Sequence, residues 1–237
     1  MLVGVATLVA RRFGPHAGGL VSAFPAIVGP VLLVVALEHG AAFAADAAAG
    51  TLLGLVALSG FVLVYARTAT RARWPASLGA AWVTAAVAAT AVGAIGVGLV
   101  GALAVAVVSL GAAYRALPGG GLAATPVPVP RWDLPVRMAL TAVLVIALSA
   151  AASRLGALAG GILAALPVLA SVLAVFTHAQ HGPAALADLL RGMLSGMTGF
   201  VVFCALVAML VVPAGIAIAF GAAALGALTV QGALVRA

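Results

Sequence analysis

The sequence predicts an all-α integral membrane protein of about nine transmembrane helices, the first one short, in two inverted repeats with a broken or kinked helix in each. Three observations predict it. Of 237 residues, 66% are apolar and only 6% are charged, against about 25% charged in a soluble domain. Apolar runs of spanning length recur along the chain. A shift of 142 positions also superimposes one half of the sequence on the other. This composition excludes water-soluble folds, and it excludes intrinsic disorder, which needs low hydrophobicity and high net charge.

A spanning helix needs about 20 apolar residues. Runs that meet or approach this length lie at 17–38, 43–66, 75–95, 97–115, 135–153, 156–178, 190–212 and 214–235, and a short run at 1–10 makes nine. Ten residues rise ~15 Å against a hydrocarbon core of ~30 Å. The expectation is therefore that the start lies upstream of Met1 or that this segment enters halfway. Lipid tolerates only helices or closed barrels, and these runs are too long and continuous for barrel strands. No signal peptide is expected, because Arg11 and Arg12 follow the first run rather than precede it.

The net charge of +7 comes from 11 basic residues, all arginine, and 4 acids. The arginines stand singly between apolar runs and form no stripe, which argues against a nucleic-acid partner. Cys204 is the single cysteine, so neither an intramolecular disulfide nor a cysteine-based metal site is expected. His178 and His181 lack further ligands nearby in sequence, and no metal or cofactor is predicted. If nine helices alternate, Arg11, Arg12, Arg67, Arg71, Arg73, Arg115, Arg131, Arg137, Arg191 and Arg236 fall on one side and Arg154 alone on the other. The positive-inside rule then places the N-terminus outside and the C-terminus in the cytoplasm. The Gly/Pro-rich stretch 117–134 reads as a cytoplasmic linker. It divides a first repeat of five helices (1–116) from a second of four (135–237).

From 12 to 54, 15 of 43 positions are identical to those 142 further on. The matches at rare residues carry the argument: Arg12 with Arg154, Pro25 with Pro167, His39 with His181, Asp46 with Asp188. Equivalent helices are five apart, an odd number, so they cross the membrane in opposite directions. Inverted repeats of this kind are a recurrent plan of secondary transporters.

Pro25 and Pro167 fall near the centres of their runs, each after a stretch of small residues. Proline removes a backbone donor and clashes with the preceding turn, so both helices are expected to break in mid-membrane, where broken helices of two repeats meet at a substrate site. Gly29 and Pro30 extend the break in the first half. Ser22 and Ser171 flank the prolines and are the preferred substrate-contact hydroxyls. Glu38, His39, His181, Asp46 and Asp188 are candidates for proton coupling, since histidine changes charge near neutral pH. Against that, Asp46 and Asp188 suit helix N-termini, where the macrodipole favours negative charge. Gly14/Gly18 and Gly156/Gly160 have the GxxxG spacing that lets helices pack closely. No charge lies at the centre of any predicted helix, which disfavours an ion pump.

The stretches Arg12-Phe-Gly-Pro, Gly18-Gly19, Phe24-Pro25, Gly29-Pro30 and Leu37-Glu38-His39-Gly40 resemble a group of bacterial polytopic inner-membrane proteins with no assigned activity. The resemblance extends to Arg131-Trp132-Asp133-Leu134-Pro135 and to 171–176. It implies a bacterial inner-membrane location and supplies no catalytic residues. The five-plus-four inverted plan is similar, in architecture alone, to drug/metabolite-type carriers.

These readings converge on a secondary transporter or exporter of a small neutral or amphipathic metabolite working by alternating access, not an enzyme. Its partners are the lipid bilayer and a small-molecule substrate, with homo-oligomerisation left open. The alternatives are a non-transporting membrane subunit or structural membrane protein and, less favoured, a membrane enzyme acting on lipid.

Overall fold

The computed structural model describes residues 2–25, 28–94, 97–119, 132–164 and 167–236, apart from the side chains of 149, 151–164 and 235–236. Among these residues every regular element is a helix and none is a strand. In chain order they are α1 (Leu2–Phe13), α2 (Pro15–Ser22), α3 (Val28–His39), α4 (Ala41–Ala69), α5 (Trp74–Gly93), α6 (Leu99–Ala116), α7 (Asp133–Ala164), α8 (Val168–Leu210) and α9 (Ile216–Arg236). By length and apolarity, α4, α5, α6, α8 and α9 are each able to cross a membrane. The chain is a multi-pass membrane protein.

The helices are punctuated by glycine. Gly14, Gly40, Gly182 and Gly215 all take φ between 81° and 92°, a backbone region that a side chain disfavours. Gly14 donates to the Ala10 carbonyl, closing α1, and accepts from Gly18, opening α2. Pro15 and Pro183 follow two of these glycines, in the first helical position where the missing N–H is no loss. Gly182 thus divides α8 into 168–181 and 183–210.

The predicted segmentation needs correction at three places. The run 17–38 is two helices, α2 and α3, with Pro25 between them. Gly29 and Pro30 do not extend that break, since both lie in the first turn of α3, where Gly29 N–H bonds to the Pro25 carbonyl at 2.9 Å. The runs 135–153 and 156–178 do not separate near 154, because α7 continues to Ala164. The reason is local: Gly14 is followed by Pro15, whereas its counterpart Gly156 is followed by Ala157, which can continue a helix. Most of the proposed linker, 120–131, lies outside the described residues, and its last two positions belong to α7.

Helices α4 and α8 form the centre. α4 packs against α3, α5, α6 and α8, and α8 packs against α2, α4, α6 and α9. Leu52, Phe61 and Tyr65 of α4, with Leu186, Leu189 and Leu190 of α8, are fully buried. Lipid removes the hydrophobic incentive for helices to associate, so small residues and close van der Waals contact must hold them. The contact of α2 with α8 is of this kind. A Cβ on Gly19 would strike the Leu189 carbonyl oxygen, and one on Gly192 would strike that of His16. Gly14 lies in a turn and Gly18 packs on Ala10 of α1, while the glycines joining α2 to α8 are Gly19, Gly192 and Gly196.

Element boundaries also recur at the 142-residue interval. Gly40 (φ 89°, ψ 170°) is matched by Gly182 (φ 81°, ψ −178°). α3 ends at His39 and the first part of α8 just before Gly182; α4 runs 41–69 and the second part of α8 183–210; α5 begins at Trp74 and α9 at Ile216.

Candidate functional site

A cavity of about 400 Å³ lies where the two proline breaks meet. Ser22, Ala23, Phe24, Pro25 and Val28 contribute the α2–α3 break, and Pro167 to Ala170 the start of α8. Thr51, Gly54, Leu55 and Leu58 of α4 line it from the central helix, and Met193, Met197 and Phe200 from the second part of α8. Leu2 of α1 completes the lining. Its volume falls within the ~300–1,000 Å³ range of small-molecule sites. The walls are mostly apolar. The Ser22 hydroxyl donates to the Gly19 carbonyl at 2.6 Å and Thr51 to that of Ala47 at 2.8 Å, so both hydroxyls keep acceptor capacity toward a guest.

Pro25, Pro167 and Ser22 thus come together on one lining, though 142 residues separate the prolines. Ser171 stands behind it. Its buried hydroxyl accepts from the Trp82 indole N–H at 2.8 Å and donates to the Pro167 carbonyl at 2.8 Å, tying α5 to the start of α8. Gly29 faces α8, where a Cβ would lie 3.3 Å from the Phe203 ring.

The charged candidates are scattered. Glu38 and His39 are exposed at the end of α3, with the His39 ring stacked on Phe43 at 5.0 Å. His181 is half-buried beside Arg137 and Asp133. Asp46 is exposed and Asp188 half-buried. Neither caps a helix, contrary to the sequence expectation. The N-cap of α4 is Gly40, with no acid in the first turn, and Asp46 is its sixth residue. Asp188 holds the same place after Gly182, beyond the turn over which a macrodipole acts.

The distance between equivalent groups follows from α4. His39 meets Phe43 near its N-terminus, whereas His178, three residues before His181, meets Tyr65 edge-on at 5.9 Å near its C-terminus. Twenty-two residues of helix separate Phe43 from Tyr65, roughly 33 Å at 1.5 Å per residue. Glu38-His39 and Gln180-His181 therefore sit at opposite ends of the central helix.

The Gln180 end carries a polar network. The fully buried Asp133 carboxylate accepts from Arg11 at 2.8 Å, from Arg137 Nε at 2.9 Å and from Gln180 Nε2 at 2.6 Å. Arg137 also donates to Gln180 Oε1 at 3.1 Å and lies over the Phe176 ring at 4.7 Å. Asp133 is the first residue of α7 and precedes the apolar run 135–153. Burial pushes its carboxyl up, but the hydrogen bonds from Gln180, Arg11 and Arg137, with the Arg137 charge, outweigh this and hold it below the ordinary 3.8. Further arginines close the same end: Arg67 donates to the Ala116 carbonyl and Arg191 to that of Pro118.

The chain matches no protein-family model, no curated protein and no solved structure at a significant level. Function must then be read from the site. Sequence reasoning did not join Arg11 or Gln180 to Asp133 and Arg137, nor single out Met193, Met197 and Gly54 as cavity walls. The i,i+4 spacing of Asp133 and Arg137 was the available signal. Nothing local announces that Gln180, 43 residues beyond Arg137, completes the network. Among the described residues no three His, Cys, Asp or Glu side chains are close enough to hold a metal ion.

Proposed function

We propose that this chain is a secondary transporter of the bacterial inner membrane that moves a small neutral or amphipathic molecule by alternating access. The observation that carries the reading is the shared cavity: Pro25 and Pro167, equivalent under the 142-residue shift, line one apolar space between the central helices. Helices interrupted at mid-membrane leave backbone polar groups that only a cavity or neighbouring protein can satisfy, and in carriers such interruptions form the substrate site.

An inverted duplication underlies the proposal. It is supported by the recurrent element boundaries and by the opposite placement of Glu38-His39 and Gln180-His181 along α4. The arginine-bearing end is cytoplasmic by the positive-inside rule, with the N-terminus outside. An alternating carrier needs its two halves in different states at any moment. In keeping with this, Gly192 and Gly196 are packed against α2, while a Cβ on their equivalents Gly50 and Gly54 would meet none of the described residues within 4 Å. The Arg11–Asp133–Arg137–Gln180 network ties α1 to α7 and α8, and in this mechanism it is the contact broken when the cytoplasmic end opens.

The test is flux in liposomes containing the purified full chain, screened with neutral and amphipathic metabolites. Wild-type protein is expected to move at least one of them, and Gly54→Trp, which fills the cavity from α4, to abolish that movement while eluting as a folded species. Undiminished flux through Gly54→Trp would exclude this cavity as the site.

A further inference from the structure

Three arginines from three helices converge on the C-terminal end of α6. Arg67, in the last turn of α4, donates to the Ala116 carbonyl at 3.4 Å. Arg191, in the second part of α8, donates to the Pro118 carbonyl at 2.8 Å and lies 5.5 Å from the centre of the Tyr114 ring. Arg115, between Tyr114 and Ala116, is exposed and bonds to no described residue. Capping accounts for part of this, since the last carbonyls of a helix lack partners and cations favour that end. It occupies one N–H of Arg67 and one of Arg191, and a guanidinium has five.

The chain pairs no carboxylate with what is left. It holds four acids in all. Glu38 ends α3 and Asp46 is near the start of α4, at the far end of that helix from Arg67. Asp133 is taken by Arg11 and Arg137. Asp188, three residues before Arg191, forms no ion pair with any described residue, and the Arg191 guanidinium turns to α6 instead. The stretch 120–131, which follows α6 in sequence, contains no acid. The partner that suits such a set of N–H donors is an oxyanion, and a phosphate matches the guanidinium fork.

The surroundings favour a phosphate carried by a lipid. The site lies at the ends of α4 and α6, both long and apolar enough to cross a membrane. Tyr114 and, just after α4, Trp74 are exposed, and these residue types mark the membrane interface. Val100, Val107 and Tyr114 are exposed and seven apart, so they share one face of α6. An acyl chain has that face to lie on, whereas a soluble phosphate uses none of it.

We propose that Arg67, Arg115 and Arg191 hold the phosphate of an anionic phospholipid at the C-terminal end of α6. The bound lipid fastens α6 to α4 and α8 at this end. The site is separate from the Pro25/Pro167 cavity, and the inference does not depend on the carrier reading.

The test is lipid binding to the purified full chain in a neutral detergent, read by native mass spectrometry. The probes are dioleoylphosphatidylglycerol, which is anionic, and dioleoylphosphatidylcholine, which has the same chains and no net charge. Wild-type protein is expected to hold the anionic lipid at least about fivefold more tightly, the scale of one arginine beside an anionic membrane surface. Arg115 supports no protein group, so Arg115→Gln leaves the cap of α6 intact. It is expected to weaken the anionic lipid about fivefold without altering the other, and Arg67→Gln/Arg191→Gln to weaken it further. Arg12→Gln, which removes an exposed arginine from α1, is expected to change neither. The proposal fails if wild type shows no preference or Arg115→Gln keeps it in full. It fails equally if Arg12→Gln costs as much as Arg115→Gln, since the preference then belongs to net charge. Displacement of the lipid by excess inorganic phosphate at matched ionic strength would assign the site to a soluble phosphate and overturn the lipid.

Discussion

Pro25 and Pro167 line one cavity from two interrupted helices, one break following α2 and the other preceding α8. Restoring the backbone donor at either position would let the helix close across its gap. Pro25→Ala and Pro167→Ala are therefore expected to abolish flux in reconstituted vesicles while the protein still elutes as a folded species. Normal transport by both variants would remove the broken helices from the mechanism.

The contact of Gly19 with the Leu189 carbonyl leaves no room for a side chain. Gly19→Leu or Gly192→Leu must push α2 away from α8. Overpacking of a well-packed interior costs about 1–3 kcal/mol, and here the obstacle is backbone rather than a flexible side chain. Both variants are expected to melt earlier than wild type in the same detergent. Gly50→Leu, at the open equivalent position, is expected to melt with the wild type, and an equal loss there would contradict the difference between the two faces.

Asp133 is buried among Arg11, Arg137 and Gln180. Removing one member of a buried ion pair costs about 3–5 kcal/mol, because the other is left uncompensated, whereas replacing both by apolar residues is often neutral. Asp133→Leu is expected to lower the melting temperature sharply, and the double variant Asp133→Leu/Arg137→Met to recover much of the loss. Additive losses in that cycle would mean the two side chains are not coupled.

The same carboxyl yields a pH dependence. Its folded value is depressed, so its contribution to stability is present in full above its ordinary value and is lost as pH falls through the folded one. Thermal stability is expected to hold through neutral pH and fall once the pH drops below about 4. Asp133→Asn is expected to lack that component of the acid loss. An acid profile identical to wild type would assign the loss to other carboxylates.

Orientation is tested by cysteine accessibility in a Cys204→Ala background. Gly40 and Gly182 are unsuitable sites, since their positive φ would strain a cysteine. Ala42 and Ala184, 142 positions apart and both exposed, lie two residues after them. A membrane-impermeant thiol reagent on intact cells is expected to label Ala42→Cys and not Ala184→Cys. Labelling of both, or of neither, would set equivalent positions on the same side and overturn the inverted arrangement.

The sequence by itself determined that the chain is helical and crosses a membrane several times, because apolarity sustained over about 20 residues has few other uses. It also announced the 142-residue recurrence and the two prolines, since Pro, His, Asp and Arg are scarce enough here for their repetition to stand out. Tertiary structure alone decided which of those residues meet. Gly14 and Gly156 are equivalent in sequence, yet one turns the chain and the other lies within a helix, because the residue that follows differs. Pro25 reaches Pro167, and Asp133 reaches Gln180, through packing of helices far apart in the chain. Spacing along one helix is legible in sequence because the helix has a fixed period. Spacing between helices depends on which small residues let two backbones touch, and Gly19 against Leu189 becomes such a contact only when α2 lies on α8.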